Sequence, residues 1–412
     1  MVIEGGLSSV LSVRARVNPW QGTPLEKGLV LTFAAIALTF IPLTPLGFFM
    51  SGWAWLLELA ILAPLVLTGP IHRRAARYLA PYVLFLVYAC ATLAWTGSLQ
   101  KGLATLAQFV VPALAYLLAW RARGFEIWKL STTSLYVLAA AVVLVIAFIP
   151  AAGAFSQRPA TISCVVLFAI ATINSKSWRF TILIAAIGLA VALSTGSRMS
   201  SVVMIVSLLT SPSLNLRWDG RIAIAILCAA LLFQISQTEA FRERVFFNED
   251  ASLIDVVTLS NDVNTSGRRE LWPLLVQECS RSSLTGLGLG SASTLSVLLS
   301  DNALSHPHND YLRQYCEVGL AGSVPFWFFF LWACIRSWRA ARIGSERRLH
   351  GVAGQLMIVL FLLAITDNVV IYTAQFMVPV AVILGLSDSR LMRARRPRPD
   401  PQPRSRQAAL TR

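Results

Sequence analysis

Apolar runs of roughly 15–22 residues recur along this chain between Gly28 and Leu386, close to the ~20 residues a helix needs to cross a bilayer. They are built from helix formers with scattered Gly and Pro. They do not show the ten-residue alternation of a membrane barrel, and helices and closed barrels are the two structures that satisfy their backbone in lipid. Hydrophobic residues make up 56% of the 412 and charged residues 13%, against about 25% charge in soluble domains. No long soluble domain remains to bury a water-soluble core.

The sequence therefore predicts an all-α fold, a polytopic membrane helix bundle with spans near 28–49, 52–70, 79–96, 103–120, 131–152, 160–174, 179–194, 198–211, 221–236, 311–335, 350–366 and 369–387. That gives about twelve transmembrane helices and puts both termini on one side. If that side is the cytoplasm, the inner segments hold 26 Lys and Arg and the outer ones 9, so the positive-inside rule fits every hairpin. The net charge of +15 is then topology, and no nucleic acid is needed to explain it. The expected organisation is a cytoplasmic tail (1–27), nine spans (28–236), a large periplasmic loop (237–307), three more spans (308–387) and a basic cytoplasmic tail (388–412). That last tail carries eight Arg from Arg390 on and suits contact with anionic lipid. The first 27 residues lack the charged start, short apolar core and cleavage site of a removable signal peptide.

The six cysteines include no CxxC pair. Neither a structural zinc nor a disulfide framework is expected, and Cys279 and Cys316 read as free thiols.

The large outer loop is not featureless. RRELWPLLVQECSR (268–281) gathers Leu271, Leu274, Leu275, Val276 and Trp272 and predicts a short amphipathic helix on the bilayer surface or capping the bundle. TGLGLGSAS (285–293) must turn. It has no GK[ST] and no preceding strand, so it is not a phosphate-binding P-loop.

SHPHNDYLRQYCEVGLAG (305–322) closes the loop and holds two of the four histidines, His306 and His308. Such residues cap a helix or sit in a polar loop in many proteins. Zinc would have to recruit Asp301, Asp310 or Glu317, because His72 and His350 fall on the other side; no metal site is expected. A general base is the third reading. Neutral imidazole accepts a proton near neutral pH, and Asp310 or Glu317 could orient it.

Arginines form the second feature. Arg198 ends STGSR (194–198) between two spans, Arg158 heads another, Arg268 and Arg269 follow Ser266-Gly267, and Arg313 lies one turn into the helix after His308. Each could be a solvated or lipid-facing charge. Converging on one outer pocket, they would suit a phosphate or pyrophosphate. No D-x-D motif is present to hold Mg²⁺ on a sugar nucleotide.

His308-Asn309, nine residues, then Gly319-Leu320-Ala321-Gly322 gives H-N-x9-G-x-x-G. With TGSR (195–198), SGRRELW (266–272), GLGLG (286–290) and a large loop between the ninth and tenth spans, the chain resembles the O-antigen ligase and polysaccharide polymerase superfamily of bacterial inner membranes. The likeness covers 181–386 in motif and nearly the whole chain in topology. It implies cofactor-free, metal-independent, inverting glycosyl transfer at the periplasmic face, from a glycan carried on undecaprenyl pyrophosphate to a glycan acceptor. His308 would match the catalytic histidine. Arg198 and Arg268 would match the arginines that hold the pyrophosphate, with Arg269, Arg158, His306, Asn309 and Arg313 as further substrate contacts. Gly319 and Gly322 would be structural. Membrane lipid and other polysaccharide assembly and export proteins are the expected partners.

One departure limits the resemblance. The paired R-x10-G motifs of some O-antigen polymerases are missing, since that spacing lands on Leu209 from Arg198 and on Ala169 from Arg158. An exopolysaccharide-type polymerase is the expectation, with a ligase as the alternative. A flippase is the rival from another class, but it would line an inner cavity with cations in two repeat-related halves, whereas here the cations gather at one face.

Overall fold

A computed structural model describes residues 23–38, 42–43, 48–49, 54–122, 124–148, 157–175, 177–194, 198–214, 217–236, 267–301, 304–343 and 346–394. These hold helices α1 (Pro24–Leu38), α2 (Ala54–Leu67), α3 (Arg73–Ala91), α4 (Leu99–Arg121), α5 (Ile127–Phe148), α6 (Gln157–Ala171), α7 (Trp178–Ser194), α8 (Arg198–Thr210), α9 (Trp218–Ser236), α10 (Arg268–Ser280), α11 (Ser291–Leu299), α12 (Asp310–Ile343), α13 (Arg347–Thr366) and α14 (Val378–Ala394). Over these residues the fold is all-α apart from a two-residue ladder pairing Pro42–Leu43 with Phe48–Phe49.

Among the described residues, five helical stretches are long and apolar enough to span a membrane: Arg73–Ala94, Leu99–Arg121, Asp310–Ile343, Arg347–Thr366 and Thr373–Ala394. This is a multi-pass membrane protein. Several other expected spans are shorter apolar helices, among them Ala54–Leu67 and Met199–Thr210. The expected first span, 28–49, does not run through: its helix is described only to Leu38, and Pro42 and Pro45 follow. Proline lacks the N–H that continues a helix and biases its preceding residue toward extended backbone. The expected tail boundary at 388 falls within the last helix. Helix α14 continues to Ala394, with Asp388 and Ser389 buried and the Asp388 carboxylate paired with Arg336. Most of the outer loop, 237–266, and residues 395–412 lie outside the described residues.

Of these five stretches the last is the most buried. Along Thr373–Ala394, 89% of the apolar window is buried, against 28% along Arg73–Ala94. Helix α3 accordingly presents Val83, Leu84 and Val87 outward. Helix α14 packs on α4 with a glycine at the closest approach: a Cβ on Gly385 would stand 2.5 Å from the Tyr116 carbonyl oxygen. Small residues let membrane helices approach this way where lipid gives no hydrophobic drive between them. Between α3, α4 and α12 lies an aromatic core. Phe85 meets Phe109 and Phe326 at 4.9 and 4.8 Å between ring centroids, and the Tyr82 hydroxyl donates to the Phe109 carbonyl at 2.9 Å.

Two registers show that α8 and α13 run antiparallel. Gln355 Nε2 donates to the Ser207 carbonyl at 2.8 Å, and Gly351 lies against Pro212. At 1.5 Å rise per residue, Arg198 stands about 13 Å beyond Ser207 and Thr366 about 16 Å beyond Gln355, in the same direction. Helix α6 is tied at its far end, where Ser131 Oγ donates to the Ala171 carbonyl and Ser213 Oγ to that of Thr172. Its first residues, including Arg158, therefore start from the same end of the bundle as Arg198 and Thr366.

Candidate functional site

The Gly-rich turn and the G-x-x-G pair are one joint. Helix α12 breaks at Gly319 (φ 58°, ψ −167°), and the segment before α11 is threaded against the break. Leu287 N–H donates to the Cys316 carbonyl (2.8 Å) and Gly288 N–H to that of Glu317 (3.0 Å). Leu320 and Ala321 N–H donate back to Ser283 and Leu284 (2.9 and 3.0 Å). Both chains need glycine here. Gly286 has φ 72°, and a Cβ on Gly319 would stand 2.3 Å from the Leu284 carbonyl oxygen. Trp95 Nε1 donates to the Gly286 carbonyl (3.2 Å) and Thr96 Oγ1 to that of Leu289 (2.6 Å), which fastens the turn to the end of α3. Gly322 lies where α12 passes Tyr88.

Helix α10, expected as an amphipathic helix over 268–281, forms over Arg268–Ser280. Its buried stripe, Leu271, Leu275 and Cys279, packs on Leu312 and Cys316 of α12. Here the expectation of free thiols is corrected: Cys279 and Cys316 form a disulfide, with Cα atoms 4.9 Å apart. Two helices aligned by their i, i+4 stripes face the two sulfurs toward each other, although 37 residues separate them in sequence. Such bonds persist in oxidising compartments.

The same helix supports the histidines. Trp272 Nε1 donates to the Pro307 carbonyl at 2.7 Å, one turn after Arg268, and Gly267 lies against Leu304. The first turn of α10, with Arg268 half-buried and Arg269 exposed, thus starts beside the His306–His308 segment. His308 adopts φ 52°, a left-handed conformation uncommon for a residue with a Cβ. Its Nδ1 lies 3.7 Å from Asp367 Oδ1, with the two side chains 15% and 12% exposed. Asp367 follows α13 and also accepts from the Asn368 N–H at 2.9 Å.

The carboxylates expected to orient His308 are engaged elsewhere. Asp310 Oδ2 accepts from Val370 N–H at 2.9 Å. Glu317 Oε1 accepts from Arg313 Nε at 3.2 Å, and Arg313 Nη1 is 4.0 Å from Asp310 Oδ1. Arg313 is 3% exposed, so this guanidinium is held inside, between two carboxylates, rather than displayed outward. Asn309 Oδ1 accepts from Leu312 N–H at 2.9 Å and caps α12. Burial, then the Arg313 charge, then His308 and Lys101, push the His306 imidazole down to about 3 and favour its neutral form.

The structure thus gathers His306, His308, Asn309, Arg313 and the start of α10 around the joint, and starts α6 and α8 from the same end. The side chains of Arg158 and Arg198 lie outside the description. Two participants escaped the sequence reading. Asp367 lies between the last two expected spans, 350–366 and 369–387, and carried no expected role. Lys101, whose charge bears on His306, stands in the first turn of α4 and donates to Thr294 Oγ1 at 3.1 Å. No cluster of three or more His, Cys, Asp or Glu able to hold a metal occurs among the described residues.

No curated protein matches the chain. Residues 180–327 match a family model described as O-antigen ligase. That segment contains Arg198, Arg268, Arg269, His306, His308, Asn309, Arg313 and the Gly319–Gly322 pair, while Arg158 and Asp367 lie outside it. Over that segment, less than half of the chain, the protein is similar to that family.

Proposed function

We propose that this protein polymerises oligosaccharide repeat units carried on undecaprenyl pyrophosphate, at the periplasmic face of a bacterial inner membrane, by metal-independent inverting glycosyl transfer. His308 Nε2 takes the proton of an acceptor hydroxyl, whose oxygen attacks the anomeric carbon of the donor glycan. The bond from that carbon to the pyrophosphate breaks, and the lipid pyrophosphate leaves as an anion. Arg198, Arg268 and Arg269, with Arg158, neutralise that anion. The imidazolium formed at His308 meets the Asp367 carboxylate 3.7 Å from its other nitrogen.

The observation that carries the reading is the His308–Asp367 pair, in which His308, beside the first turn of α10, belongs to the segment that matches the O-antigen ligase family and Asp367 is brought to it from the turn after α13. The Cys279–Cys316 disulfide supports an oxidising compartment for this end, with both termini on the cytoplasmic side. Lipid-linked donors suit a site at the mouth of a helix bundle, where the lipid tail stays in the membrane.

The description of the matched family favours a second reading, transfer of a finished glycan to a lipid A-core sugar or a protein. Glycan analysis of a strain lacking the gene separates the two. Polymerase function predicts loss of long polymer with single lipid-linked units retained. Full-length polymer left on its carrier beside bare acceptor means a ligase. Normal polymer on its normal acceptor overturns both.

A further inference from the structure

At the end of the bundle opposite His308 lies a cavity of about 610 Å³, lined by Arg74, Arg77, Tyr78, Trp332, Arg336 and Arg339 together with apolar side chains. Arg336 lies 17 residues beyond Gly319, or about 25 Å along α12, near the far edge of a hydrocarbon layer about 30 Å thick. Its guanidinium is clamped, with Cζ 4.3 Å from the ring centroids of both Tyr78 and Trp332. It also pairs with Asp388 at 2.8 and 2.5 Å, and the Tyr116 hydroxyl donates to the same carboxylate at 2.9 Å. Asp388 is therefore spent on Arg336, whose buried Nη1 has no hydrogen-bond partner among the described residues. Arg74, Arg77 and Arg339 form no ion pair among the described residues. They leave the cavity about three positive charges in excess.

An arginine that snorkels to the interface needs no cavity. Here four guanidiniums from α3 and α12 surround one, and one of them is held rigid by two aromatic faces and a carboxylate. The wall also carries Ile335 and Ile343, which are 43% and 77% exposed, so the cavity opens toward acyl chains. Phosphate oxygens satisfy the guanidiniums, and hydrocarbon satisfies the isoleucines.

We infer that this cavity is a binding site for the headgroup of an anionic phospholipid, separate from the His308 site and independent of the reaction performed there. The test uses the full chain purified in mild detergent, followed by thermal unfolding and native mass spectrometry with added phosphatidylglycerol, chain-matched phosphatidylcholine or inorganic pyrophosphate. Arg74, Arg77 and Arg339 are replaced together by Gln, and Arg336 is kept because removing it would strand Asp388. Phosphatidylglycerol should raise the wild-type Tm saturably, and phosphatidylcholine and pyrophosphate should not. The triple variant should bind phosphatidylglycerol about 10²-fold more weakly, at about fivefold per arginine. Unchanged affinity in the triple variant, or equal shifts from both lipids, overturns the site. A shift from pyrophosphate alone overturns the lipid as its occupant. If the triple variant unfolds, the comparison of the three additives on the wild type decides.

Discussion

His308 Nδ1 faces Asp367 Oδ1 at 3.7 Å, so the loop before α12 and the turn after α13 meet through an imidazole and a carboxylate. The separation exceeds a hydrogen bond and suits an ion pair that tightens when the imidazole takes up a proton. Asp367→Asn should leave the protein folded and slow glycan transfer on the order of 10²-fold, the loss that follows a misplaced catalytic group. Initial rates of polymer formation in proteoliposomes check this; a rate equal to wild type removes Asp367 from the account.

Arg198→Ala and Arg268→Ala should each lose about 10²–10³-fold in kcat, as loss of a contact to developing charge does. Lysine should rescue only partly, because a point charge cannot reproduce a planar fork on pyrophosphate oxygens. Kinetics with a synthetic lipid pyrophosphate donor test both, and full activity in the alanine variants would contradict their role.

Reducing the Cys279–Cys316 disulfide should destabilise the α10–α12 contact. Closing a loop of 37 residues contributes about 4 kcal/mol in the chain-entropy account. Cys279→Ser should lower the Tm and leave Cys316 open to alkylation under denaturing conditions without reductant. Alkylation of both cysteines in the non-reduced wild type would show that the bond is absent.

His306 gives stability a pH dependence of known sign. Burial holds its folded pKa at about 3, below the ordinary 6.5. Between those values the unfolded chain binds the extra proton, so stability falls as pH drops below 6.5, by up to about 1.4 kcal/mol per pH unit. The Tm of wild type should drop more between pH 7 and 4.5 than that of His306→Gln. Parallel Tm profiles would place the His306 ring in solvent.

Gly319→Ala should disrupt the joint, because its backbone adopts φ 58° and the Leu284 carbonyl oxygen occupies the position of the new methyl. Strained backbone of this kind costs about 1–3 kcal/mol before the clash is counted. Limited proteolysis within 281–290 should accelerate in this variant, and an unchanged cleavage rate would contradict the threaded arrangement.

The all-α class, the five long apolar helices, the helix over Arg268–Ser280 and the turn at 286–290 were legible because each depends on composition and local period. The spacing from His308 to Gly319 was legible as a pattern, but its cause was not. Gly319 is required by the returning 283–288 strand of backbone, a contact no local rule contains. Asp367 was invisible for the same reason: a carboxylate in a short link reads as a turn until α13 delivers it to the imidazole. Asp310 and Glu317, close to His308 in sequence, were the natural orienting groups, and helical phase turned both inward, toward Val370 and Arg313. The Cys279–Cys316 bond was missed because spacing rules for cysteines describe metal sites and small secreted domains, not two helices brought into register by their apolar stripes.

The most direct test of the account is transfer by purified protein in proteoliposomes containing a polyprenyl-pyrophosphate glycan, with chelator present, comparing wild type with His308→Ala of equal Tm. The account predicts that wild type extends the glycan and releases polyprenyl pyrophosphate, while the variant does so at least 10²-fold more slowly. Extension by the variant at the wild-type rate would contradict it.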